Sequence, residues 1–204
     1  MPETLEIVDG LSFNEELRKV YCPAEEMRDL SGAVYTLPRY FYKVPEWEVA
    51  LHTQLTAHFD LWEFMICDYK EHPVAARFPR YIPCAVTLIA AALEVVRAEF
   101  NSYVHIAANG GYRSPSHQLS TYASPHCWAT AANIYRIADE YLEDQDKIEK
   151  YKRVAERAVN GLHVRPFGHT VGFTDDHLHL DLGYSHFLPS NAPLSLPEKH
   201  ADAT

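Results

Sequence analysis

One stretch limits the possible folds more than any other: "DDHLHLDLGY", residues 175–184, in which Leu178, Leu180 and Leu182 alternate with His177, His179 and Asp181. Side chains two positions apart share a face of a β-strand, so the stretch reads as a strand with one apolar and one polar face. The leucines require a core to pack into. The polar set faces either solvent or a cleft, and the alternation alone does not choose between them.

The surrounding pattern supplies partners for that strand. Val86, Ile89, Ala90, Leu93, Val96 and Phe100 recur at helical spacing behind Pro83, which suits a first helical turn, and predict a buried helix of about four turns starting at Ile82. A short strand is expected over 104–108, followed by a loop forced by Gly110, Gly111 and Pro115. A second strand is expected over 129–137. "DEYLEDQD" then reads as a solvated turn, and "DKIEKYKRVAERAV" as an amphipathic helix with Ile148, Tyr151, Val154, Ala155 and Ala158 on one side. The order helix, strand, loop, strand, helix, strand predicts an α+β domain with a small antiparallel sheet. Residues 1–55 differ: short mixed segments and the aromatic "YTLPRYFYKVPEW", broken by Pro38 and Pro45, predict an extension packed on the domain, its rings covering core or lining a substrate entrance. The main domain is expected over 56–186, and 187–204 as an extended or disordered tail. There is no internal repeat.

Composition narrows the function. A chain of 204 residues with 47% hydrophobic content can bury one sizeable core. A formal net charge of -10 argues against nucleic acid as a partner, because phosphate binding needs clustered Lys and Arg. The first residues carry acids where a secretory leader carries positive charge, and "IPCAVTLIAAALEVV", interrupted by Thr87 and Glu94, is too short to span a bilayer. No membrane partner is expected. Cys22, Cys67, Cys84 and Cys127 are scattered without a CxxC pair, so reduced thiols in a cytoplasmic protein are expected.

Two histidines at i and i+2 can reach one metal ion, but an isolated HxH is a weak signal. His126 in "SPHCWATAAN" offers another imidazole, with Asn133 seven positions on. A catalytic zinc ion takes three protein ligands and a water, and a nearby carboxylate must accept that water's proton; Asp176 is placed to do so. Arg113, in the loop "GGYRSPSH", is of the kind that holds an oxyanion or a substrate carboxylate. Cys127, next to His126, is expected to point into the core.

Taken in order, "FDLWEFMICD" (59–68), the helix from Ile82, "GGYRSPSH", "SPHCWATAAN" and "DDHLHLD" resemble the zinc D-alanyl-D-alanine peptidases. That family comprises D-Ala-D-Ala carboxypeptidases, vancomycin-resistance D,D-dipeptidases and L-Ala-D-Glu endopeptidases, and shares its fold with the hedgehog signalling domain. The resemblance covers roughly residues 56–186. It implies a hedgehog/D,D-peptidase-like fold and a zinc-dependent peptidase or amidohydrolase acting on a small peptide or amide, one containing D-amino acids or otherwise non-standard. It further implies one zinc ion on His126, Asn133 and His179, with Asp176 as general base and His177 on the tetrahedral intermediate. Arg113, Ser124 and Tyr112 would bind substrate. The family has Asp where this chain has Asn133. A neutral amide lowers metal affinity and leaves the bound water more acidic. His117, His163 or His169 could substitute for it as ligand. Two other readings stay open: a non-hydrolytic iron enzyme using two histidines and Asp176 or Asp181 as a facial triad, and a binding module that has kept the fold and lost catalysis.

Overall fold

In the computed structural model of the chain, the structure describes residues 5–168 and 176–193. Among them, β10 (Leu178–Asp181) is the predicted alternating strand, and Leu178 and Leu180 are completely buried. It pairs antiparallel with β7 (Ala131–Ile137) on one side and β9 (His163–Val164) on the other. β6 (Val104–Ile106) joins the other edge of β7, giving the order β6-β7-β10-β9, and the short β8 (Glu140–Tyr141) also pairs with β7. The predicted solvated turn therefore contains a two-residue strand. A register shift between His105 and Ile106 marks a bulge in β7 at Tyr135, which is left without a partner position on β6.

The apolar face of this sheet is covered by α3 (Val86–Phe100) and α4 (Gln145–Ala158), which pack against each other. Asp144 caps α4 by accepting the Lys147 amide at 3.0 Å. α3 begins later than the sequence predicts. Pro83 lies instead in β5 (Tyr81–Pro83), opposite Phe41, at the edge of a second sheet ordered β1-β4-β5. An edge strand tolerates a residue that has no N–H to donate, and Val86 is the first helical residue.

β1 (Glu6–Asp9) and β4 (Tyr40–Lys43) complete that second sheet, so residues before and after position 55 share its hydrogen bonds. The N-terminal segment also contributes α1 (Glu15–Tyr21), the hairpin β2 (Glu26–Arg28) and β3 (Val34–Thr36), and α2 (Trp47–His52). Its aromatics cover core: Phe13, Tyr21 and Phe41 cluster with Tyr81 at centroid distances of 4.5–5.9 Å. A smaller core of Leu37, Ala123, Cys127 and Trp128 joins the β2–β3 hairpin to the turn that follows Ser124. Architecture at this level is α+β with small antiparallel sheets. No helix of the described residues is long and apolar enough to cross a membrane. All four thiols are free. Residues 194–204, most of the predicted tail, lie outside the described residues.

Candidate functional site

β7 and β10 are in a register that pairs Leu178 with Ile134, His179 with Asn133 and Leu180 with Ala132. Leu178, Ile134, Leu180 and Ala132 are fully buried, so His179 and Asn133 stand side by side on the opposite face. His179 Nδ1 lies 2.8 Å from Asn133 Oδ1. Two residues on, Asp181 Oδ2 lies 2.9 Å from His179 Nε2, while Asp181 Oδ1 accepts the Gly183 amide at 2.8 Å. The imidazole therefore has an acceptor at each end, yet burial lowers its pKa and favours the neutral ring, which carries one N–H. With that proton on Nε2, toward the carboxylate, the Nδ1 lone pair faces the amide oxygen. Either the amide turns to present its NH2 or a cation joins the two donors.

His126 approaches from a second direction, on a 3-10 turn, Pro125–Trp128. It is buried, and its Nδ1–H donates to the Gly111 carbonyl at 2.7 Å, which directs the Nε2 lone pair elsewhere. Its ring centroid is 5.2 Å from that of His179. Burial holds the His126 pKa well below the usual histidine value, and the neighbouring Arg113 and His179 lower it further. Cys127 is buried, as expected, with its Sγ 3.4 Å from Ser120 Oγ.

One loop holds both donors in place. The Ala107 amide donates to the Asn133 carbonyl at 2.9 Å and the Asn133 amide to the Gly110 carbonyl at 2.8 Å, fixing the Asn133 backbone. At Gly111 a Cβ would lie 2.4 Å from the Phe64 carbonyl oxygen, so only glycine lets the loop dock there and present its own carbonyl to His126. The loop rests on the segment after Phe64. The Tyr112 amide donates to the Phe64 carbonyl, Asn109 Oδ1 accepts the Asp68 amide, and the buried Glu71 accepts from the Ser114 amide and hydroxyl at 3.0 and 2.6 Å.

Arg113 projects from this loop as a largely desolvated cation whose field reaches His126, His177 and His179; its Nε–H is buried without an acceptor. Asp176 is exposed and its Oδ1 accepts His177 Nδ1–H at 2.7 Å; His177 Nε2 accepts Arg165 Nη2–H at 3.1 Å. Burial lowers the His177 pKa against the opposing pull of Asp176. For Asp181, burial raises the pKa, but the hydrogen bond and charge of His179, the Gly183 amide and the charge of His163 together outweigh it, and the carboxyl stays below its ordinary value.

The structure thus brings together His126, Asn133 and His179, with Arg113 and the Asp176–His177 pair beside them. Ser124 immediately precedes the His126 turn and is partly exposed. Tyr112 is a correction: it is 1% exposed and packed in the main core, so its ring cannot contact substrate. His117 is also away from the donors. Its Nδ1 accepts the Leu119 amide and its Nε2–H donates to Asn109, so it supports the loop. His163 pairs with Asp181 across the strands and is exposed. His169 and Asp175 lie outside the described residues. Asp181 occupies the nitrogen of His179 opposite Asn133, a position behind the ring rather than beside it as a co-ligand.

Two contributors leave no pattern in the sequence. Arg165 follows a two-residue strand too short to leave a pattern, and Glu71 lies in an irregular segment whose only signal is the acid itself. Among the described residues, no group of three or more His, Cys, Asp or Glu side chains is arranged to hold a metal ion. The cluster here consists of two imidazoles and one amide. Comparison of the chain with protein-family models, curated proteins and solved structures gives no match.

Proposed function

We propose that the chain is a metal-dependent hydrolase of a peptide or amide bond, with one divalent ion, zinc by its preference for imidazole, held by His126, Asn133 and His179. The observation that carries this reading is the facing pair of His179 Nδ1 and Asn133 Oδ1, 2.8 Å apart, with Asp181 behind the ring and His126 alongside. A carboxylate on the far nitrogen of a ligating histidine fixes its tautomer and raises its basicity, and a backbone carbonyl does the same for His126. Such an ion supplies Lewis acidity and an acidified water.

The chain's own side chains supply the rest. Asp176 is exposed and partly tied to His177, leaving Oδ2 to take a proton from the attacking water and return it to the leaving amine. His177, held in one tautomer between Asp176 and Arg165, borders the position where negative charge develops. Arg113 pairs with a carboxylate of the substrate, and Ser124, at the start of the His126 turn, is a second substrate contact. By the resemblance, the substrate is a small peptide containing D-amino acids or otherwise non-standard.

Metal analysis of the purified protein beside its Asn133→Asp variant tests this reading. About one zinc per chain, with D,D-dipeptide hydrolysis that rises in the variant, supports it. Stoichiometric iron with oxygen-dependent turnover would replace it with the facial-triad enzyme. The neutral Asn133 favours a second reading, a ligand-binding module. A protein that takes up no metal, and whose ligand binding is unchanged by Asp176→Ala, would establish that one instead.

A further inference from the structure

We propose that a carboxylate ligand supplies the anionic donor that His126, Asn133 and His179 lack, so that metal and carboxylate bind this site cooperatively. The inference rests on the metal-dependent reading above. All three donors are neutral, and both nearby acids are already engaged. Asp181 is divided between His179 Nε2 at 2.9 Å and the Gly183 amide at 2.8 Å, and Asp176 is held on His177 Nδ1 at 2.7 Å. Among the described residues no third His, Cys, Asp or Glu completes a ligand group. The charge of a divalent ion would go largely uncompensated, next to Arg113, whose backbone amide donates to the His126 carbonyl and whose buried Nε–H has no acceptor.

Two positive groups in a water-poor site repel each other, and the repulsion is felt more strongly there than in bulk water. An anion near both reverses the sign of that interaction. A carboxylate matches the parallel N–H pair of a guanidinium and still has an oxygen to offer a metal. Linkage then requires that a ligand preferring the metal-loaded protein tighten the metal by the same factor. The site would therefore discriminate for acids over their neutral amides, and would hold zinc weakly until such an acid is present.

The test is the zinc dissociation constant of the full chain, measured by competition with a chromophoric chelator in chloride-free buffer. It is measured alone, with N-acetyl-D-alanine, with the corresponding amide, and with inorganic phosphate. Zinc should tighten about tenfold or more with the acid and not with the amide; an equal effect of phosphate would show a general anion site and overturn the carboxylate assignment. In Asn133→Asp, zinc should bind tightly alone and lose its dependence on the acid. In Arg113→Met, that dependence should also disappear, with thermal unfolding confirming that each variant is folded. Tight zinc binding indifferent to the acid, or coupling that survives in Asn133→Asp, overturns the inference and leaves the hydrolase reading standing. No zinc binding under any condition overturns both.

Discussion

At the scale of single residues, His179 is the pivot, because both of its nitrogens face acceptors and its two neighbours differ in charge. Asp181 holds Nε2–H, and Asn133 offers only an amide oxygen to Nδ1. Replacing Asp181 with Asn keeps the shape and removes the charge that polarises the ring, so Asp181→Asn should weaken zinc binding by about 10–100-fold. Chelator competition reads the loss, and unchanged zinc affinity would show that Asp181 is only a strand-end hydrogen-bond partner. His177, His179 and Asp181 were legible as one face of a strand from the leucines between them. Their roles were not, since alternation says which side chains share a face and nothing of what stands opposite.

At the scale of elements, the site depends on turns as much as on the β7–β10 pair that carries Asn133 and His179. The His126 turn is braced by the N-terminal hairpin: Trp128 Nε1–H donates to the Thr36 carbonyl at 3.0 Å, and the Ala123 amide to the Arg28 carbonyl at 2.7 Å. The loop carrying Arg113 rests on the 3-10 turn Leu61–Phe64, whose Glu63 accepts the Asp60 amide at 2.9 Å. Burial pushes the Glu63 pKa up to about 7, even though the Asp60 amide pulls the other way. The folded state thus keeps a proton that the unfolded chain releases above its ordinary carboxyl value. The stabilisation from that proton is complete below about pH 4.5 and is lost as pH rises to about 7. Glu63→Gln should therefore match the parent at pH 4.5 and exceed it at pH 8 by about 1 kcal/mol, a figure discounted for solvent at this partly exposed group. Denaturant unfolding at the two pH values checks it, and an equal difference at both would rule out titration as the cause.

At the scale of the whole molecule, the net charge of -10 contrasts with a site built from neutral histidines and two arginines, Arg113 and Arg165. Burial lowers the pKa of His105, His117, His126, His177 and His179. The unfolded chain protonates them near their ordinary value while the folded protein resists, so stability is present above about pH 6.5 and lost as pH falls below it. The metal-free protein should show a melting temperature that drops between pH 7 and pH 5, against the smaller opposite contribution of Glu63. Zinc should raise the melting temperature at pH 7 and progressively less toward pH 5, because protons compete for the same nitrogens. Scanning calorimetry with and without zinc measures both effects, and a pH-independent shift would place the bound metal on groups other than these imidazoles.

The sequence by itself determined the elements with a strong internal period. The alternating leucines fixed β10, the helical spacing of Val86, Ile89, Leu93 and Val96 fixed α3, and the one-sided apolar pattern after Asp144 fixed α4. Burial of an apolar face imposes those periods on any sequence that folds this way. Only the tertiary structure decided which polar groups meet. The register that sets Asn133 against His179, the Gly111 carbonyl that fixes His126, the burial of Tyr112 and the arrival of Arg165 at His177 all join positions distant in the chain. Such contacts come from packing between elements, and no local period in the chain encodes them.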